Sequence, residues 1–316
     1  MDNAHILFNG IPLELQLHIF AFLDSKSLLR ASCVCCHWQS LAVRAGENTT
    51  LDLSGFALDA KKCSYLQNSF FGTLILRGCH LDEEAVNILS AATKVRELDL
   101  TLNDLRDKGC SALATRNLNF LVTLTLNGNN IGAPGAKALA TGNLPSITSL
   151  SLENNRVGSD GVRHLATGKL SSLTSLNLAV NGLGSSGAEA LLIGENNWRA
   201  LTDLNLSYNG TGSAGALVAA KGKMSRLTSL NLRSNRIGDA GANLLASAQL
   251  DFLTYLNLGS GALGDEGALA LASAEHLGSL VTLDLAYNDI GNEGLLAIAT
   301  SRRLSSLQFL DISSNP

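Results

Sequence analysis

Short alternations of leucine with polar residues recur along most of the chain, and each is followed by a turn and a segment rich in small residues. In one copy, Leu150 and Leu152 alternate with Ser149, Ser151 and Glu153, which predicts a short strand with one buried face. The following segment is rich in glycine and alanine, which predicts a closely packed helix. The order strand, turn, helix therefore repeats down the chain.

The first leucine of each predicted strand marks a period of about 26 residues. These markers are Leu51, Leu74, Leu98, Leu124, Leu150, Leu176, Leu204, Leu230, Leu256, Leu283 and Leu310. We expect about eleven units, called rungs one to eleven, the last of them incomplete. A rung can bury its leucines only against its neighbours, so the rungs must stack. Because helices are about 10 Å wide and parallel strands about 4.8 Å apart, the stack must curve with the strands inside.

The phrase Leu-x-Leu-x-x-Asn, as in residues 98–103, resembles the leucine-rich repeat. The resemblance implies an α/β solenoid, a horseshoe with short parallel strands inside and helices outside. Cys79 and Gly261 stand where most of the other turns have asparagine. Cysteine can partly replace the amide, whereas glycine leaves buried backbone groups without a side-chain partner, at a cost of about 1 to 3 kcal/mol. We therefore predict a softer turn at residues 259–262.

The first 48 residues lack this repeat. A helix is predicted to begin at Pro12, and residues 24–27 form a turn before a second helical segment. A cap on a solenoid needs one apolar face, but this first helix is apolar around much of its circumference. Its apolar residues are Leu13, Leu15, Leu17, Ile19, Phe20, Phe22 and Leu23. The excess apolar surface predicts a partner-binding site.

Several anchors of this segment agree in order and spacing with an F-box, which it resembles over about 40 residues. They are Pro12-x-Glu14-Leu15, Ile19-Phe20-x-Phe22-Leu23, Leu28-Leu29, Val34-Cys35 and Trp38-x-x-Leu41. Ile11 replaces the leucine more common in the family, a change conservative in volume. The resemblance implies a three-helix module, residues 1–48, that binds the SKP adaptor of a cullin-RING ubiquitin ligase. The implied contacts are Ile11, Pro12, Leu15, Ile19 and Leu23, with Val34, Cys35 and Trp38 as mixed core and interface.

An F-box followed by repeats over residues 49–316 implies a substrate receptor, which holds a client protein beside the ligase. The phrase Gly-Ala-x-x-Leu-Ala, as in residues 135–140, further resembles the GALA-type F-box effectors that some bacteria inject into eukaryotic hosts. An effector would act in the host cytoplasm, and any other receptor of this type in its own cytoplasm. One alternative stays open: a scaffold or inhibitor that uses the repeat surface without a ligase, its N-terminal helices serving only as a cap.

The expected client surface is the concave face of the strands. One outward column carries mostly short polar residues, namely Asp99, Thr125, Ser151, Asn177, Asn205, Asn231, Asn257, Asp284 and Asp311. Larger side chains gather in the second half, at Tyr208, Arg233, Tyr255, Tyr287 and Phe309. Aromatic and arginine side chains dominate the binding energy of protein interfaces, so these five residues are the predicted client site.

Composition argues against other classes of function. With 16% charged residues and a net charge of −4, the chain has no basic footprint for nucleic acid or an anionic membrane. No apolar run approaches the ~20 residues needed to span a bilayer, and no signal peptide is evident. The six cysteines are expected to be small buried hydrophobes in a reducing compartment. The histidines form no ligand pair, so we expect no metal, no cofactor and no catalytic residue.

Overall fold

The computed structural model describes most of the repeat region and none of the first 49 residues. The described residues are 50–58, 63, 72–81, 83–89, 95–115, 118–193, 198–221 and 224–316. The predicted N-terminal helices, and with them every predicted adaptor contact, lie outside these ranges. The account of the structure therefore concerns the repeats.

Within the described ranges, eleven three-residue strands form a single sheet in which each strand pairs with the next one along the chain, so strand βn belongs to rung n. The strands are β1 (Thr50–Asp52), β2 (Thr73–Ile75), β3 (Glu97–Asp99), β4 (Thr123–Thr125), β5 (Ser149–Ser151), β6 (Ser175–Asn177), β7 (Asp203–Asn205), β8 (Ser229–Asn231), β9 (Tyr255–Asn257), β10 (Thr282–Asp284) and β11 (Phe309–Asp311). All pairs are parallel, and leucine pairs with leucine at each step, as Leu124 does with Leu150. The leucines that mark the period therefore lie in register across the sheet.

Helices follow the strands of rungs two to ten within the described ranges. They are α1 (Glu83–Leu89), α2 (Arg106–Ala114), α3 (Ala133–Thr141), α4 (Gly158–Thr167), α5 (Gly184–Ile193), α6 (Ser213–Lys221), α7 (Gly238–Ala246), α8 (Asp265–Ser273) and α9 (Asn292–Thr300), with a 3₁₀ turn at Glu275–Leu277. None of these helices has the length and apolar character needed to cross a membrane. The alternation of strands and helices gives the predicted leucine-rich-repeat solenoid.

Leucines from rungs two to ten fill the space between the sheet and the helices. Leu150 and Leu152 of rung five are buried, as is Leu165 on the helix of the same rung. A rung isolated from the stack would expose these leucines, so burial requires the neighbouring rungs. In rung eleven the exposed fractions of Leu310 and Ile312 rise to 38%, because no described rung covers that side of β11.

The glycine of the Gly-Ala phrase has a structural role beyond helix packing. A Cβ atom added at Gly135 would lie 2.7 Å from Oδ1 of Asp107, a residue of the preceding helix. That oxygen accepts hydrogen bonds from the N–H groups of Gly132 and Gly135 at 2.8 and 2.9 Å. Asp107 thus caps the N-terminus of α3 from the preceding rung. Asp239 caps α8 in the same way.

The turn asparagines form a ladder of hydrogen bonds inside the solenoid. Asn155 Oδ1 accepts the backbone N–H groups of Asn129 and Ile131 at 3.0 and 2.9 Å. Its Nδ2 donates to the carbonyls of Leu126 and Leu152 at 2.9 and 2.8 Å. Each such side chain joins its own turn to that of the preceding rung. Comparable bonds to the preceding rung are made by Asn103, Asn129, Asn181, Asn209, Asn235 and Asn288.

Cysteine partly replaces asparagine in rung two, as predicted. Cys79 Sγ donates to the Leu53 carbonyl at 3.1 Å, the bond to the preceding rung that an asparagine amide makes elsewhere. Burial is the main cause that raises the pKa of this thiol. Cys63 and Cys110 are also buried, whereas Cys33, Cys35 and Cys36 lie outside the described residues.

Glycine interrupts the ladder in rung nine. Gly261 N–H still donates to Asn288 Oδ1 at 2.8 Å, so the turn remains joined to rung ten. Gly261 has no side chain, however, and so it offers rung eight no oxygen that could accept its backbone N–H groups. Among the hydrogen bonds of the described residues, none satisfies the backbone N–H of Asn235 or of Ile237. The N–H groups that lack an acceptor thus lie in rung eight, one rung before the glycine. The softer turn at residues 259–262 stays a prediction.

Candidate functional site: the concave face of rungs seven to eleven

The concave face differs in character along the solenoid. In rungs four to six its strand positions carry only serine, threonine and asparagine beside the buried leucines. From rung seven onward, larger side chains appear on the strands and on the turns that follow them. Rungs seven to eleven hold all five residues of the predicted client site.

Arg233, in the residues after β8, is the centre of the predicted site. Its Nε donates to the hydroxyl oxygen of Tyr208 at 3.3 Å. Its Nη1 lies 3.3 Å from Oδ2 of Asp284, and its guanidinium carbon lies 5.7 Å from the ring centroid of Tyr287. The last distance is within the range of a cation–π contact. Arg233 therefore joins side chains from rungs seven, eight and ten.

A glycine in rung nine allows this arrangement. Arg233 reaches Asp284 by crossing rung nine at Gly259, where an added Cβ atom would lie 2.8 Å from Nη1. The same Cβ would lie 3.1 Å from Oδ1 of Asp284. A side chain at this position would thus require the Arg233 guanidinium to move from where it meets Asp284. Gly259 was absent from the predicted site, because its role depends on an arginine and an aspartate that are 51 residues apart.

Tyr208 and Tyr287 occupy equivalent turn positions, each just before the ladder asparagine. Both have left-handed backbones, with φ of 57° and 58°, and they are 53% and 59% exposed. The same left-handed conformation recurs at this turn position in other rungs, as at Leu102, Asn154 and Val180, so it belongs to the repeat and presents the two rings from equivalent places. The hydrogen bond from Arg233 is the main cause that lowers the pKa of Tyr208.

Tyr255 belongs to the same network through an asparagine, whereas Phe309 is set apart. Asn257 Nδ2 donates to the Tyr255 hydroxyl at 3.3 Å and to Asp284 Oδ2 at 2.7 Å. Phe309 pairs with Thr282, which in turn pairs with Tyr255, so the two rings are two strands apart. Phe309 is 65% exposed. The structure therefore brings four of the five predicted residues into one network and leaves the fifth beside it.

The described residues offer no metal site. No group of three or more histidine, cysteine, aspartate or glutamate side chains is placed to hold a metal ion in the part of the chain that the structure covers. The Asp284 carboxylate is instead engaged by Arg233 and Asn257. The aromatic rings, amides and charged groups on this face can bind a partner through non-covalent contacts.

Comparison with known proteins identifies both parts of the chain. The model of an F-box-like domain matches residues 8–45. The leucine-rich-repeat model matches more than half of the chain, at residues 91–114, 117–140, 143–166, 169–192, 224–246, 251–272 and 277–299. The chain belongs to the leucine-rich-repeat family and carries an F-box-like domain before the repeats. The matched families indicate no catalytic activity.

Two solved structures illustrate the structural likeness. A crystal structure of the Rad7 and Elc1 complex in yeast has a TM-score of 0.60 at 15% identity, covering 98% of this chain and 79% of that one. An internalin, InlF, from Listeria monocytogenes has a TM-score of 0.44 at 21% identity, covering 87% and 89%. The likeness to the Rad7 and Elc1 structure is a likeness of fold alone, since the sequences are 15% identical. No curated protein sequence matches the chain.

Proposed function

We propose that this protein is the substrate-receptor subunit of a cullin-RING ubiquitin ligase. Its F-box-like domain would bind the SKP adaptor, and its repeats would bind a client protein. The observation that carries the proposal is the order of the two parts, an F-box-like domain at residues 8–45 followed by a recognition solenoid. The solved structure with the same fold described above holds Rad7 together with Elc1, which gives the proposal an assembly to compare with.

Adaptor binding is assigned to Ile11, Pro12, Leu15, Ile19, Leu23, Val34, Cys35 and Trp38. All eight lie within the residues matched by the F-box-like model. Most of these residues are apolar, and one is tryptophan, a residue type enriched among those that carry the binding energy of protein interfaces. This assignment predicts that the adaptor contacts the first 48 residues and leaves the repeats free.

Client binding is assigned to Tyr208, Arg233, Tyr255, Tyr287 and Phe309. Their support is the network around Arg233 and the exposure of three of the rings. Arg233 is held by Tyr208 and Asp284 before any partner arrives, so less conformational freedom is lost when a client binds. If client binding survived replacement of Tyr208, Arg233 and Tyr255 together, this assignment would be wrong.

The action proposed for the receptor is proximity. Holding a client beside the ubiquitin-conjugating enzyme raises its effective concentration, so the chain needs no reactive group of its own. The Gly-Ala phrase also supports the narrower proposal of a GALA-type bacterial effector, which would borrow the adaptor of a eukaryotic host and act in its cytoplasm.

Capture of a eukaryotic SKP adaptor by the purified full chain tests the proposal. We expect a stable complex that is lost when Ile11→Ala and Pro12→Ala are combined. A matched control is Leu102→Ala with Pro145→Ala, which removes an aliphatic side chain and a proline from exposed positions of the repeats. The control should bind the adaptor normally. If the intact chain captured no adaptor, the alternative of a ligase-independent scaffold or inhibitor would replace the receptor.

A further inference from the structure

The strands of the concave face carry negative charge and no positive charge. Their residues include six carboxylates and neither lysine nor arginine. The carboxylates are Asp52, Glu97, Asp99, Asp203, Asp284 and Asp311. Such a surface attracts cations and repels anionic partners, and the effect is concentrated where the face curves inward.

Arginines beside the strands leave most of this charge in place. Arg77 Nε lies 2.6 Å from Oδ2 of Asp99, and Arg233 Nη1 lies 3.3 Å from Oδ2 of Asp284. Each guanidinium is therefore already committed to a carboxylate of the same protein. The remaining strand carboxylates keep the face acidic.

One pair of strand carboxylates lies beside the aromatic side chains. Asp284 and Asp311 are paired residues on neighbouring strands, and like charges at paired positions destabilise each other. Arg233 contacts Asp284, whereas the described bonds of Asp311 through its carboxylate go to its neighbour Ser313. Two carboxylates thus share one nearby guanidinium. A cation from a partner, placed beside Asp311, would give each of the two carboxylates its own positive charge.

Exposed rings lie on both sides of this carboxylate pair along the strand direction. Phe309 precedes Asp311 in β11, and Tyr287 lies in the turn that follows β10. These rings are 65% and 59% exposed. A cation beside a carboxylate and over an aromatic face gains from both interactions, and arginine does so most often in proteins. Tyr287 already makes one such contact with Arg233.

We infer that the client docks through a basic segment, which places an arginine or lysine beside Asp311 and against the rings of Tyr287 and Phe309. The inference rests on the proposed function for the identity of the concave face as the client site. It adds the chemistry of the partner: a positively charged stretch of polypeptide. An acidic or phosphorylated segment would meet the carboxylates of six strand positions and is the alternative that the test must exclude.

Binding of two labelled peptides, followed by fluorescence anisotropy, tests the inference on the full chain. The peptides share one sequence of glycine, serine and tyrosine and differ only in carrying four arginines or four phosphoserines. We expect the arginine peptide to bind and its affinity to fall with rising salt. Asp311→Asn should weaken its binding about fivefold, the loss expected of one solvent-accessible ion pair.

A matched control is Asp52→Asn, the same change at the equivalent strand position of rung one. Both aspartates are exposed, and each accepts a hydrogen bond from the backbone N–H two residues later, which an asparagine preserves. The control should change the affinity by less than about twofold. Equal losses in the two variants, preference for the phosphorylated peptide, or no binding of the arginine peptide at low salt would each overturn the inference. Adaptor capture depends on the other end of the chain, so failure of one proposal is distinguishable from failure of the other.

Discussion

Rungs four to six and rungs seven to ten are built on the same period but differ in how strictly they follow it. In the earlier rungs the asparagine ladder is unbroken and the concave strand positions are small and polar. In the later rungs the ladder is interrupted at Gly261, and Arg233 crosses rung nine to reach Asp284. Positions that follow the repeat build the solenoid. Departures from it leave room for interactions that the fold itself does not need.

The largest expected difference between these regions is the cost of losing a ladder asparagine. In rung five, Asn155→Ala should lower the free energy of unfolding by at least about 3 kcal/mol, because two N–H groups and several carbonyls lose their buried partner. Urea denaturation measures the loss. The matched change Asn315→Ala in the partly exposed last rung should cost about 1 kcal/mol. Equal losses would show that the ladder contributes no more inside the stack than at its end.

The gap at Gly261 should be visible in hydrogen exchange. The amides of Asn235 and Ile237 have no acceptor among the described residues, whereas those of Asn209 and Thr211 both donate to Asn235 Oδ1 at 3.1 Å. We expect the first pair to exchange roughly tenfold faster than the second. NMR-detected exchange of the native protein measures both pairs at once. Equal protection would mean that the missing side chain of Gly261 leaves rung eight unaffected.

Gly259 should control the ion pair that crosses rung nine. A double-mutant cycle with Arg233→Met and Asp284→Asn should give a coupling of about 0.5 to 1 kcal/mol, since both side chains remain partly accessible. Adding Gly259→Ala should abolish the coupling, because the new Cβ atom would lie 2.8 Å from Nη1. Gly278→Ala is the control, since its nearest neighbour lies 3.6 Å away. Persistence of the coupling in the Gly259→Ala background would contradict the geometry.

The smallest effect concerns the ionisation of Tyr208. Arg233 stabilises the tyrosinate form and lowers the pKa of Tyr208, so the native chain should ionise this residue at lower pH than the Arg233→Met variant does. Because the folded-state pKa lies below the unfolded one, the associated stability is present above the unfolded pKa and is lost as the pH falls. Ultraviolet difference titration measures the shift. Identical titrations of the two proteins would argue against the hydrogen bond from Arg233.

Sequence patterns predicted most of the fold because the repeat places like residues together. Leucine alternation gave the strands, and the position of Cys79 indicated its substitute role in the ladder. The pattern missed Asp107 as a cap of the following helix and Gly259 as the space for Arg233. Each depends on where a side chain from another rung ends, which a period of leucines does not specify. The clustering of large residues in the second half of the chain did indicate the network around Arg233. It did not indicate that Phe309 lies apart from that network.

The central claim is that the two ends of the chain bind different partners. Hydrogen–deuterium exchange of the full protein, alone and saturated with the SKP adaptor, tests it most directly. We predict added protection between residues 11 and 41 and unchanged exchange in β7 to β11, which would leave the concave face free for a client. Protection of those strands by the adaptor, or none in the first 48 residues, would contradict the account.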